Sequence, residues 1–224
     1  MTLKATGACN LSCAHCSQSE WRTAHADYHM KTREIERLAA RAAELGLSAF
    51  KTIHISGGEP TLWREFEDGC LAIKEIGLAE RIVVSSNCID YNRLIAALDA
   101  GLVDRVYCQA SNASRGGVEA IRRTHPARLS VGRRRIHKPR PRRLLTGVLP
   151  ARCGCLRPAY FAGRVYQCAD IWPNLARVGL SIDAPRVWRS IEDEDWVSFL
   201  RAAQPARSIA CRICVANRKV WNKI

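Results

Sequence analysis

The residues best suited to chemistry come first in the chain. Cys9, Cys13 and Cys16 lie in CNLSCAHC, with three residues in the first gap and two in the second, and no other cysteine follows until Cys70. A structural zinc site takes four ligands, usually in CxxC pairs. Fully ligated iron–sulfur clusters also use four cysteines. Three thiolates on one short loop hold three irons of a cubane and leave the fourth iron open. An open iron binds a small molecule that offers nitrogen and oxygen donors.

Further motifs follow at intervals. Gly57 and Gly58 carry no side chain, so a bare backbone can approach a ligand there. Glu59 offers a carboxylate acceptor, and Pro60 fixes the turn. Ser85, Ser86 and Asn87 form a polar run, as do Gln109 and Ser111. A second set of cysteines lies far along the chain at Cys153, Cys155, Cys168, Cys211 and Cys214, the last two as CRIC. Gly163, between Cys153 and Cys168, suits a hairpin turn that brings its flanking cysteines together. The spacing of this second set alone also allows a four-cysteine zinc site.

These motifs need elements to position them, and the pattern of strands and helices supplies them. Residues 2–8 read as a short strand, and 50–56, 81–86, 104–110 and 128–133 as further strands. Apolar residues at helical spacing (Ile35, Leu38, Ala39, Ala42 and Leu45) predict a helix over 32–46 stopped by Gly46. Residues 64–77, stopped by Gly77, the segment with Tyr91, Leu94, Ile95 and Leu98, and residues 114–124 predict three more. Alternating strands and helices build a parallel sheet with helices outside. Too few repeats are present to close an eight-stranded barrel. The expected fold is α/β: an incomplete, open (β/α) barrel of about five to six parallel strands, followed by a small C-terminal α+β cluster-binding domain. The boundary falls between 149 and 150, after the prolines at 139 and 141. The cysteine loop, GGEP, SSN and QAS all lie at C-terminal strand ends, where such folds carry function.

Composition narrows the class. With 47% hydrophobic residues in 224, the chain has enough apolar matter for a core and is not disordered. No apolar run suits a membrane span, and the start lacks the core of a signal peptide. The expectation is a soluble, cytoplasmic protein. Eleven cysteines in a reducing compartment point to metal binding or catalysis, not disulfides. Cys70, Cys88 and Cys108 stand alone in apolar segments and read as packing. Trp172, Trp188, Trp196 and Trp221 read mostly as core. Residues 121–169 hold twelve arginines, one lysine and no acid, which is thirteen of the chain's net fourteen positive charges. Such a segment attracts phosphate, nucleic acid or carboxylates, or is a solvated edge.

CxxxCxxC followed by GGEP after the second strand closely resembles the radical SAM superfamily, over roughly residues 1–130. The resemblance implies an enzyme with a [4Fe-4S] cluster on Cys9, Cys13 and Cys16, whose open iron chelates S-adenosylmethionine. One electron then cleaves the sulfonium to methionine and a 5′-deoxyadenosyl radical, which abstracts a substrate hydrogen. It further implies cofactor contacts from Gly57, Gly58, Glu59 and Pro60, from Ser85, Ser86 and Asn87, and from Gln109 and Ser111. His15 stands where the family usually has an aromatic residue beside the adenine. No residue stands out as a general acid or base. The tail resembles the twitch domain, a shortened relative of the SPASM domain. That implies an auxiliary [4Fe-4S] cluster on Cys153, Cys168, Cys211 and Cys214, with Cys155 as the alternative to Cys153.

The expected function is hydrogen abstraction from a small, anionic substrate, ending in dehydrogenation or rearrangement, with the auxiliary cluster taking up an electron. His137, Lys138, Arg140 and Arg143 are the candidate substrate contacts. An electron donor such as flavodoxin or ferredoxin is the implied protein partner. The alternatives are a ribosomal-peptide maturase, an RNA-modifying radical enzyme and, without catalysis, an iron–sulfur electron carrier. The chain enters its first strand at once, so a leader-binding domain is not expected within it.

Overall fold

The computed structural model describes residues 1–13, 16, 18–109, 111–132, 158–168 and 188–201. Among them the strands are β1 (Thr2–Thr6), β2 (Ile53–Gly57), β3 (Ile82–Ser86), β4 (Arg105–Gln109), β5 (Leu129–Gly132), β6 (Ala159–Phe161), β7 (Arg164–Tyr166) and β8 (Trp188–Ser190). The α-helices are α1 (Ser19–Ala24), α2 (Thr32–Glu44), α3 (Phe66–Glu75), α4 (Tyr91–Asp99), α5 (Arg115–Thr124) and α6 (Trp196–Arg201).

The described strands form one open sheet in the order β5-β4-β3-β2-β1-β6-β7-β8. It is parallel from β5 through β6. β7 then runs antiparallel to β6, and β8 antiparallel to β7. From β1 to β5 each strand lies beside its predecessor. Right-handed crossovers therefore put α2–α5 on one face of the sheet.

The strand sequences match that arrangement with period two. Leu3, Ala5, Ile53, Ile55, Ile82 and Val84 point toward the helices and are fully buried. They join Ile35 and Leu38 of α2, Phe66 and Ile73 of α3, Leu94 of α4 and Ile121 of α5 in one core. Each large aliphatic side chain so buried is worth about 1.5–3 kcal/mol. Most alternate positions are polar: Thr2, Lys4 and Thr6 on β1, His54 and Ser56 on β2, and Ser85 on β3, with Val83 as the apolar exception. Lys4 lies beside Ser56 in the ladder, and Ser85 beside Tyr107. One face of the sheet is thus an apolar seat for helices and the other a polar wall.

Element boundaries differ from expectation by a few residues, for local reasons. β1 stops at Thr6 because the pairing with β2 shifts register between Lys4 and Thr6, and Gly7 N–H turns away to the Tyr28 carbonyl. β2 starts at Ile53, while Phe50 makes only an isolated bridge to Ala79. Pro60–Leu62 form a 3₁₀ turn, which delays α3 to Phe66. Gly46 and Gly77 do end α2 and α3, with φ of 72° and 69°.

In the tail, β6 pairs with β1, so β6–β8 continue the sheet of the core, with α6 following. Trp196 is fully buried and Trp188 half-buried; Trp172 and Trp221 lie outside the described residues, as does the 149/150 boundary. α1 covers the polar wall over β1 and β6. There Trp21 packs edge-on against Phe161, at 5.3 Å between centroids, beside Ala159 and Tyr166. Lys4, only 2% exposed, lies under this cover and donates to Gln18 Oε1 at 2.9 Å. The polar wall over β2 and β3 is half-open.

Candidate active site

The rim at the C-terminal ends of β1, β2 and β3 is knit by backbone bonds. Gly58 N–H donates to the Thr6 carbonyl at 2.6 Å, and Glu59 N–H to Ala8 at 2.7 Å. The GGEP turn is therefore bolted to the strand that runs into the cysteine loop. The two glycines have a steric reason of their own. A Cβ on Gly57, whose φ is 141°, would lie 2.3 Å from the Thr6 carbonyl oxygen, and one on Gly58 would lie 2.0 Å from that of Ala8. The bare backbone expected to face a ligand is thus already required for β2 to close on β1. Pro60 begins the 3₁₀ turn and is buried, as its fixed φ suits.

Glu59 is 1% exposed. Its Oε1 accepts from Ser86 Oγ at 2.7 Å, from Thr61 N–H at 3.2 Å and from Thr61 Oγ1 at 3.1 Å. Its Oε2 accepts from Asn87 N–H at 2.7 Å. Burial pushes the carboxyl above its ordinary range, while the bonds from Asn87, Ser86 and Thr61 pull it down. A carboxylate has about four lone-pair sites. Oε1 is fully used, and Oε2 keeps room for one more donor.

Ser86 Oγ also accepts from Cys88 N–H at 2.8 Å, in a turn where Cys88 adopts a left-handed φ of 58°. Ser85 is half-buried on the polar wall. Asn87 bridges outward: its Nδ2 donates to Asn10 Oδ1 at 2.7 Å, and its Oδ1 accepts from Ile89 N–H at 3.0 Å. Ser111 closes a local turn with Ser114, Oγ to Oγ at 2.8 Å. Gln109 ends β4; its side chain lies outside the described residues.

The cysteine loop leaves β1 under similar control. Thr6 Oγ1 accepts from Ala8 N–H at 3.1 Å, and Arg22 of α1 donates to the Leu11 carbonyl. Cys16 N–H turns back to the Cys13 carbonyl at 3.1 Å. Cys9, Cys13 and Cys16 are half-buried and carry no disulfide. Three accessible, reduced thiols on one short loop are a donor set suited to an iron–sulfur cluster. They are not drawn together around one point: among the described residues, no three or more His, Cys, Asp or Glu side chains are placed to hold a single metal ion.

The structure thus brings the cysteine loop, GGEP and SSN into one bonded rim, with Ser111 beyond β4. His15, His137, Lys138, Arg140, Arg143, Cys153, Cys155, Cys211 and Cys214 lie outside the described residues. Cys168 is half-buried and packs against the Trp21 and Phe161 cluster.

The radical SAM superfamily pattern matches residues 3–131, more than half of the chain and all of the rim. This chain belongs to the radical SAM superfamily. Membership makes it an enzyme and implies a [4Fe-4S] cluster and S-adenosylmethionine. Among similar proteins, the PqqA peptide cyclase of Methylobacterium nodulans is 33% identical over 119 residues, which is 52% of this chain and 29% of the cyclase. The GTP 3′,8-cyclase of Psychromonas ingrahamii is 30% identical over 103 residues, 46% of this chain and 30% of that enzyme. The matches thus span less than a third of each of these relatives. In fold, the crystal structure of BtrN in complex with AdoMet and 2-DOIA is similar with a TM-score of 0.66, at 14% identity, over 96% of this chain and 91% of BtrN. No described helix of this radical SAM protein is long and apolar enough to cross a membrane.

Proposed function

We propose that this radical SAM enzyme abstracts a hydrogen atom from a small, anionic substrate, leading to dehydrogenation or rearrangement. The observation that carries this reading is the bonded rim: three half-buried thiols, GGEP and SSN at the ends of adjacent parallel strands. Cys9, Cys13 and Cys16 would hold the cluster. Bound there with S-adenosylmethionine, the cluster supplies the electron that cleaves the sulfonium and releases a 5′-deoxyadenosyl radical.

The chain's own residues bind and orient. Glu59 Oε2, whose one described donor is Asn87 N–H, would accept from an ammonium group at the rim. Ser85 and Asn87 would offer polar contacts along the half-open wall, Gln109 and Ser111 would add to them, and His15 would stack on the adenine. The small-molecule reading draws support from BtrN, which is similar in fold over nearly its whole length and was solved with AdoMet and 2-DOIA. His137, Lys138, Arg140 and Arg143 would meet the anionic group.

The tail from residue 150, whose described strands extend the core sheet, would hold an auxiliary [4Fe-4S] cluster on Cys153 or Cys155 with Cys168, Cys211 and Cys214. An electron left after hydrogen abstraction would pass there. A flavodoxin or ferredoxin would reduce the first cluster. A peptide substrate is the second reading, favoured by the PqqA peptide cyclase among the relatives, but the matched segment is the core that carries the rim.

The test is anaerobic reconstitution followed by reduction with dithionite and S-adenosylmethionine, scored by 5′-deoxyadenosine. Raised turnover with a small anionic compound supports the first reading. Turnover raised only by a peptide supports the second. Absence of cleavage in protein loaded with about four irons or more refutes both.

A further inference from the structure

Asn10 follows the first cysteine of the loop directly, and its side chain meets Asn87 at the end of β3. A primary amide has one acceptor oxygen and one NH₂ donor. Ile89 N–H occupies the Asn87 oxygen at 3.0 Å, so the group facing Asn10 is the donor. The backbone N–H of Asn87 is held by Glu59, itself buried and tied to Ser86 and Thr61. Asn87 is therefore fixed at its backbone and at its side-chain oxygen, and presents its NH₂ to the cysteine loop. Elsewhere the loop is held by the Glu59–Ala8 backbone bond and by Arg22 on the Leu11 carbonyl. Between these two anchors the side-chain bond from Asn87 is the tie at Asn10.

We propose that Asn10 and Asn87 form a latch that holds the cysteine loop against the end of β3, so that cluster and S-adenosylmethionine are bound in one closed geometry. Both are positioning residues: they act by holding the loop, through each other. The proposal rests on the reading of Cys9, Cys13 and Cys16 as cluster ligands. A neutral hydrogen bond of this kind shifts a closing equilibrium by about threefold to tenfold. A ligand that binds only the closed form loses affinity by the same factor when the latch is cut.

The test has two arms. In anaerobically reconstituted holoprotein, the Kd for S-adenosylmethionine and the rate of iron release to a ferrous chelator are measured. Asn10→Ala and Asn87→Ala should each weaken binding and speed iron release by about threefold to tenfold, and the double variant should be no worse than the worse single. Asn10→Asp keeps an acceptor and should behave as wild type. Asn87→Asp should change the loop's hydrogen exchange in apoprotein little, because the Asn10 amide can turn to donate. Combining both aspartates leaves two acceptors face to face, and the loss should exceed that of the two singles together. Double-alanine losses equal to the product of the singles would overturn the latch and assign each residue its own contact. So would an Asn10→Ala protein unchanged in both readouts.

The second arm uses apoprotein and amide hydrogen exchange over residues 8–13, which needs no cluster. Exchange there should rise equally in either alanine variant and in the double; unequal rises would overturn the latch. A wild-type protein that assembles no cluster would refute the ligand reading, while exchange would still decide the latch.

Discussion

Two groups of thiols in this protein share a residue type and little else. Cys9, Cys13 and Cys16 lie half-buried on a loop past the end of β1, where the chain is committed to no ladder. Cys70, Cys88 and Cys108 are fully buried under helices or at strand ends. Burial pushes the Cys70 thiol up to about 12. Cys88 is raised as well, by its bond to Cys108 and by burial. Cys108 is lowered instead, by its bond to Cys88, but it is fully buried like the other two. Cluster ligands must be thiolates, so Cys70 and Cys88 are poorly placed for that chemistry, and all three are well placed as packing. Place in the fold, not residue type, separates the two roles.

The comparison is broken most directly by substitution. Alanine at Cys9, Cys13 or Cys16 should abolish S-adenosylmethionine cleavage, a loss on the order of a thousandfold or more, with loss of bound iron. Cys70→Ala should retain cleavage and lose about 1–2 kcal/mol of stability to the cavity, read by urea denaturation of the apoprotein. Equal losses of cleavage in both groups would end the distinction.

Alkylation of the reduced apoprotein sharpens it. The three loop thiols should react with iodoacetamide about a hundredfold faster than Cys70 and Cys88, whose modification requires local opening. Peptide mapping by mass spectrometry reads the order.

The rim itself carries the next effect. Gly58→Ala places a methyl group against the Ala8 carbonyl, a backbone atom that cannot swing aside. The expected cost is about 2–3 kcal/mol, with S-adenosylmethionine binding lost, measured by denaturation and calorimetric titration. A stable, binding-competent Gly58→Ala protein would show that β1 and β2 need not close so tightly.

Glu59→Gln is smaller. Its NH₂ would face a backbone or hydroxyl donor, at about 1–3 kcal/mol. Because burial raises the folded carboxyl above its unfolded value of 4.5, the Glu59 contribution is full below that pH. It falls as pH rises through the folded value. The urea midpoint of wild-type apoprotein should therefore decline with rising pH over that window more than that of Glu59→Gln. Parallel pH profiles would contradict the assignment.

Much of the core could be read from the chain because its signals are local. The helix apolar spacing over 32–46 lies within one element, the strand run at 50–56 lies mostly within β2, and the motifs sit at the ends of elements. What escaped was non-local. α1 is short, and its buried Trp21 finds Phe161 only through the fold. β6 joins β1 across more than a hundred and fifty residues, in a strand of three. Lys4 looked like one residue of a short strand, yet it is buried and bonded to Gln18; a lysine between alanine and leucine was the available signal. Glu59 was assigned a single acceptor role toward a ligand, whereas most of its capacity is spent on Ser86, Thr61 and Asn87. Cys88 and Cys108 read as separate packing residues and meet only because β3 and β4 are neighbours.

The central claim is that the rim holding Cys9, Cys13 and Cys16 is a radical SAM site. The most direct measurement is 5′-deoxyadenosine formed per chain by reconstituted, dithionite-reduced protein, wild type beside Cys13→Ala. The account predicts formation in the wild type and none in the variant. Equal formation in both, or none in a wild type loaded with iron and sulfide, would contradict it.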